Sequence, residues 1–146
     1  MSDKDTNQLE NELTKTDELE DFLDENKENF FKLSLSDYLE QLLVEKNLSK
    51  LEVVKKSLLN PTYAYHIFAG RKKNPSRDKV ICLSLAMELT LQETQRLLYF
   101  SGNEKLYVKT SWDSIVMFAL EKNFSVERTN KLLHKFAERP LLGDIS

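Results

Sequence analysis

Glycine and proline are scarce in this chain: three of each in 146 residues. Frequent tight turns would need more, so a turn-rich β-architecture is disfavoured and a helical protein with short connections is predicted. A single cysteine, Cys82, excludes an internal disulfide. No apolar run reaches the ~18 residues of a membrane-spanning helix. The first residues, "MSDKDTNQLENELTKTDELED", are acidic and lack the basic and apolar regions of a secretory signal. Together these absences predict a cytoplasmic protein with no membrane partner. The sequence also has no G-x-S-x-G elbow, no glycine-rich phosphate loop and no H-E-x-x-H, so no enzyme is predicted. His134 has no Cys, His or acidic partner at ligand spacing, so neither a metal nor a cofactor is expected.

What the chain does have is 40% hydrophobic residues, enough for one core of ordinary size, and an uneven distribution of charge. Residues 1–36 hold 11 acids against 4 lysines, a balance of −7, whereas the whole chain carries −3. Residues 46–79 hold 9 bases (Lys46, Lys50, Lys55, Lys56, Arg71, Lys72, Lys73, Arg77, Lys79) and 2 acids (Glu52, Asp78), a balance of +7. A compact basic segment in an acidic protein is the footprint of an anionic partner, or else a solvated face.

Apolar spacing and caps predict an all-α chain. Thr16 to about Asn29 reads as a short acidic helix with Leu19, Phe22 and Leu23 on one face, and Phe30, Phe31, Leu33 and Leu35 anchor this arm to the body. A helix is predicted at about 37–45 with Tyr38, Leu39, Leu42 and Leu43 inward. The next opens with Ser49 and Glu52 at capping-box spacing and runs to about Ser57. Asn60-Pro61 opens a third, as N-cap and N1, and Gly70 stops it. A fourth starts near Pro75-Ser76 with a core stripe of Cys82, Leu85, Ala86 and Leu89. A fifth is capped by Thr90 and Glu93 and ends by Gly102. Two more, at about 111–122 and 126–137, form a C-terminal pair, with Ile115, Phe118 and Ala119 inward on the first and Val126, Leu132, Leu133 and Phe136 apolar on the second. Trp112 beside Asp113 fixes the start of that pair. The domain organisation expected is an acidic arm (1–35), a central helical domain (36–102) and a C-terminal helical hairpin packed on it (103–146).

Only Leu58-Leu59 separates the second helix from the cap Asn60 of the third. Two short helices joined by about three residues form a helix-turn-helix pattern, whose second helix fits the major groove. The stretches "LSKLEVVKKS", "NPTYAYHIFAG" and "NPSRDKVICLSLAMEL", with the basic loop between the last two, resemble the phage-repressor-like (Xre-type) helix-turn-helix domain. "IFAGRKKNPSRDK", with "LQETQRLLYFSG" and "SWDSIVMFALEKNFSVERTNKLL", resembles a Gram-positive subgroup with a YQIFxGxRxPSRDK signature and two extra C-terminal helices. The likeness covers about 110 of the 146 residues.

The resemblance implies a five-helix DNA-binding domain in a bacterial transcriptional regulator of double-stranded DNA, commonly a homodimer. It places Lys50 on a phosphate or base edge, Thr62 and His66 at outward positions of the recognition helix beside Pro61, Tyr63 toward backbone or sugar, and Arg71, Lys72 and Lys73 on phosphates. Two positions depart from the family pattern. Leu58 stands where a glycine usually serves a turn that favours φ > 0, and Pro61 offers no donor to a base. An alternative expectation is therefore a protein–protein interaction adaptor on the same scaffold, its partner a protein rather than DNA. Arg77 and Asp78 are either an exposed pair or a link from the fourth helix back to the third. Ala64, Ile67, Phe68 and Cys82 are expected in the core.

Overall fold

The computed structural model describes residues 34–143, and the predicted arm helix and its anchors Phe30, Phe31 and Leu33 lie outside them. The described residues form seven α-helices and no strand: α1 (Leu35–Glu45), α2 (Lys50–Ser57), α3 (Pro61–Phe68), α4 (Arg77–Ala86), α5 (Leu91–Phe100), α6 (Ser111–Glu121) and α7 (Val126–Lys135). Side chains from all seven helices meet in one hydrophobic cluster. No helix among the described residues is long and apolar enough to cross a membrane.

The helix starts follow the caps in the sequence. Ser34 opens α1 two residues earlier than the spacing indicates, and its hydroxyl and the Asp37 carboxylate complete a capping box. Thr90 and Glu93 form the same box at α5. At α2 only half of the predicted box is made: the Ser49 hydroxyl accepts the Glu52 N–H at 3.3 Å, while the Glu52 side chain stays exposed. Asn60 caps α3 through its carbonyl oxygen, which accepts the Tyr63 N–H at 3.1 Å, and Pro61 occupies N1.

The helix ends show how a chain with few glycines manages left-handed turns. α1, α3, α4, α5, α6 and α7 each close on a residue at positive φ: Asn47, Gly70, Glu88, Gly102, Asn123 and Ala137. At each of them, two backbone N–H groups turn back to the last carbonyls, as in Asn123 N–H to Leu120 O and Phe124 N–H to Ala119 O. Glycine is used where space is tight as well. A Cβ at Gly70 would stand 3.1 Å from Ser36 Oγ, and one at Gly102 3.1 Å from Asn74 Nδ2.

α4 is the central element, in contact with α2, α5, α6 and α7. The predicted stripe of Cys82, Leu85, Ala86 and Leu89 is buried, but so is every residue from Val80 to Met87, because neighbours cover the helix on all sides. The expected inward face of α6 needs correction at Phe118. α6 buries Trp112, Val116, Ala119 and Leu120, an i, i+4, i+7, i+8 stripe, and that rotation leaves Phe118 49% exposed. On α7, Val126 and Leu133 are buried, while Phe136 lies past the last turn and is 58% exposed.

The Arg77–Asp78 step likewise takes neither of its expected roles. It ties the start of α4 to the C-terminal pair, not to α3. The Arg77 guanidinium donates to both carboxylate oxygens of buried Asp113 (3.1 and 2.8 Å) and to the carbonyls of Glu104 and Lys105. Asp113 also accepts the Tyr107 N–H at 2.8 Å. Asp78 accepts two bonds from Arg139 and one from the Leu142 N–H, and its hydrogen bonds, with its charge, hold the Arg139 guanidinium above the usual arginine pKa range. Trp112 Nε1 donates to Arg139 O, closing the circuit around the start of α6.

Candidate nucleic-acid interface

α2 and α3 pack against each other and are joined by Leu58, Leu59 and Asn60. Leu58 takes φ 61°, ψ 11°. The turn thus keeps the left-handed conformation that favours glycine, and a leucine bears its cost, about 1 kcal/mol. Leu59 is buried behind it, its N–H bonded to Ser57 Oγ.

α3 divides into two faces. Ala64, Ile67 and Phe68 are buried in the core, which α1 and α2 share. Pro61, Thr62 and Tyr65 are exposed, and Tyr63 and His66 are half-buried. Leu59, Asn60, Thr62, Tyr63, His66 and Lys79 line a shallow depression of about 350 Å³. The Tyr63 ring forms one wall. Lys79 Nζ lies 4.2 Å from its centroid and Lys72 Nζ 5.6 Å. Ammonium groups over an aromatic face are stabilised by its quadrupole and stay available to an anion on their outer side.

The loop after α3 is fixed by backbone bonds. The N–H groups of Arg71 and Lys72 both donate to His66 O, at 2.9 and 3.2 Å. The side chains of Arg71, Lys72 and Lys73 are exposed. The structure therefore brings Thr62, Tyr63, His66 and Lys72 together, with Arg71 and Lys73 beside them in the chain. Lys50 stands apart. Its Nζ pairs with Glu40 at 2.8 Å and lies 5.4 Å from the Phe68 ring, in the last turn of α3.

The +7 segment is thus not one patch. Lys46 pairs with Glu93 at 3.0 Å, Lys50 with Glu40, and Arg77 with Asp113. Lys55, Lys56, Arg71, Lys72, Lys73 and Lys79 have no ion pair to a described residue. Lys79 is the member that site reasoning from the sequence missed. It lies on the first turn of α4, and only the packing of that turn beside α3 brings it over Tyr63; a count of charge along the chain includes Lys79 without placing it.

Cys82, in the middle of α4, has no accessible surface, and burial together with the nearby Asp78 charge pushes its thiol up to about 12. It is a packing residue, as expected. Burial also raises the Tyr38 hydroxyl. No protein-family model, no curated protein and no solved structure matches this chain.

Proposed function

We propose that this chain is a DNA-binding transcriptional regulator that reads duplex DNA with α3, in the five-helix arrangement of α1 to α5. The observation that carries the reading is the outward face of α3. It is polar, it follows a three-residue turn from α2 that opens on left-handed Leu58, and it is bordered by Lys72 and Lys79 over Tyr63 with Arg71 and Lys73 alongside. A helix in this position fits the major groove, and cations at its flank neutralise phosphates. Thr62 and His66 supply the hydrogen-bonding side chains for base edges, because Pro61 has no donor. Lys50 is a secondary contact, since binding a phosphate means leaving Glu40.

The test is selection of bound duplexes from a random pool, then titration of the winner across salt. An enriched motif with log K falling against log salt at a slope of roughly −3 to −6 supports the reading, and a palindromic motif adds a dimer. Weak binding with no enrichment rejects it.

One observation favours a second reading, a protein-binding adaptor. Leu51, in the first turn of α2, and Leu58, in the turn just after it, are 53% and 44% exposed. These two side chains would serve as apolar anchors for a partner. A protein partner retained by the unaltered chain, lost by Leu51→Asp and kept by Arg71→Glu, would select this reading over DNA binding.

A further inference from the structure

We infer that Asp78 and Arg139 are positioning residues for the basic face: by holding the first turn of α4, the segment after α7 sets where Lys79 stands over Tyr63, and with it the affinity for duplex DNA. This rests on the DNA-binding reading for its consequence, though not for the geometry itself.

Three consecutive residues open α4, and each is committed to a different part of the molecule. Arg77 donates to Asp113, near the start of α6. Asp78 accepts from Arg139 at 2.8 and 3.2 Å and from the Leu142 N–H at 2.7 Å. Lys79 reaches α3, its Nζ 4.2 Å from the Tyr63 ring centroid. Successive helical residues lie about 100° apart around the axis, so a movement of this turn shifts all three contacts together.

The turn has little local support. Ser76 stands at the N-cap and makes no side-chain cap bond, and a first turn without a cap bond is prone to open. It is held by long-range bonds instead. Asn74 donates to Ser101 O and Asn103 donates to Pro75 O just before it, and Arg77 and Asp78 fix the turn itself.

The segment that grips Asp78 is itself fixed. Leu141 is buried and its N–H donates to Asn130 at 2.6 Å. Trp112 Nε1 donates to Arg139 O, and the Arg139 guanidinium lies 4.4 Å from the Trp112 ring centroid. Leu142 takes φ 66°, a left-handed conformation that a leucine adopts at a cost. Such backbone persists where its surroundings over-determine it, and here Asp78 accepts that residue's N–H. The Asp78 side chain is 16% exposed, against 55% for Arg139, so Asp78 is the inner member of the pair. Deprived of its partners, a carboxylate so far out of water turns toward solvent, and the first turn of α4 moves with it.

Lys79 is the cation most sensitive to such a movement. Arg71, Lys72 and Lys73 are exposed on a loop, whereas Lys79 is half-buried on a helix. A side chain already ordered against an aromatic ring loses less freedom when it meets a phosphate, provided that it is held in the right place.

The sign of one effect separates positioning from simple electrostatics. Asp78→Ala removes a negative charge beside the basic face, so charge alone predicts tighter binding to a duplex. Positioning predicts weaker binding, by about fivefold at 0.1 M salt. The geometry is read from the Lys79 ε-methylene protons in NMR spectra of the full chain, which the Tyr63 ring current shifts upfield; Tyr63→Leu identifies that shift. Asp78→Ala is expected to lose at least half of it, and Arg139→Gln a smaller part. Neither change should weaken binding to a mixed-sequence duplex further when Lys79→Met is already present. Urea unfolding sets the conditions under which each variant is folded. If Asp78→Ala does not fold, Arg139→Gln at the exposed end of the pair carries the same test through the shift and the Lys79→Met background. In a chain that binds the duplex, an unchanged shift, tighter or equal binding by Asp78→Ala, or a full loss on top of Lys79→Met would overturn the inference. A lost shift in a chain that binds no duplex, altered or not, rejects the DNA-binding reading and leaves the positioning standing. Duplex binding with an unchanged shift does the reverse.

Discussion

Two regions of this protein use charge in opposite ways. At the C-terminal brace, Arg77, Asp78, Asp113 and Arg139 are held by multiple bonds to one another and to backbone. Around α3, Arg71, Lys72 and Lys73 are exposed and have no ion pair to a described residue. The two regions are near neighbours in sequence, since Arg77 is four residues after Lys73. Charges of the first kind hold α4 to α6 and to the segment after α7, where leaving one unpaired would be costly. Charges of the second kind contribute little to stability and remain available for a partner.

Removing one partner from the brace should have the largest effect. Asp113→Ala leaves Arg77 and the Tyr107 N–H without their acceptor, and is expected to cost about 3 kcal/mol in urea unfolding. A loss under about 1 kcal/mol would mean that the pair behaves as a surface ion pair. Charge reversal on the other side should do the opposite. Arg71→Glu with Lys72→Glu is expected to weaken duplex binding about 100-fold at 0.1 M salt while stability moves by less than about 0.5 kcal/mol. If affinity holds, the loop is not the phosphate clamp.

The buried half has its own signature with pH. The Cys82 thiol, pushed up to about 12 in the folded protein, keeps its proton while the unfolded chain releases one above about 9. The stabilising contribution is complete below pH 9 and is lost as pH rises toward 12, by up to about 1.4 kcal/mol per pH unit. Tyr38 acts in the same direction. Urea midpoints at pH 8 and pH 10.5 should therefore diverge more in the unaltered protein than in Cys82→Ala; equal slopes would refute burial as the cause. The smallest expected effect is at the turn. Leu58→Gly removes the positive-φ strain at an exposed position and should stabilise by about 0.5–1 kcal/mol.

The helices were legible from local features. Ser49, Asn60 and Thr90 cap where their side chains indicate, because an N-cap bond spans only three residues. The buried face of α3 was legible from the i, i+3, i+4 spacing of Ala64, Ile67 and Phe68. Phe118 misled because hydrophobicity does not say which side of a helix is covered: α6 turns Trp112 and Val116 inward, and Phe118 follows the rotation outward. Arg77 and Asp78 misled for another reason. Their partners Asp113 and Arg139 lie 36 and 61 residues away, beyond any spacing rule.

What the sequence by itself determined is the helical class, the caps, and the gathering of cations between 46 and 79, since each follows from residue type and near-neighbour spacing. Which cations are tied down and which are exposed was decided only by the tertiary structure. Lys46, Lys50 and Arg77 find carboxylates on other helices, whereas Lys79 is carried to the Tyr63 ring by the packing of α4. The physical reason is range. A cap or an apolar stripe is settled within one or two helical turns, but a charge takes whichever partner the fold brings within about 4 Å, and that distance is set by the core.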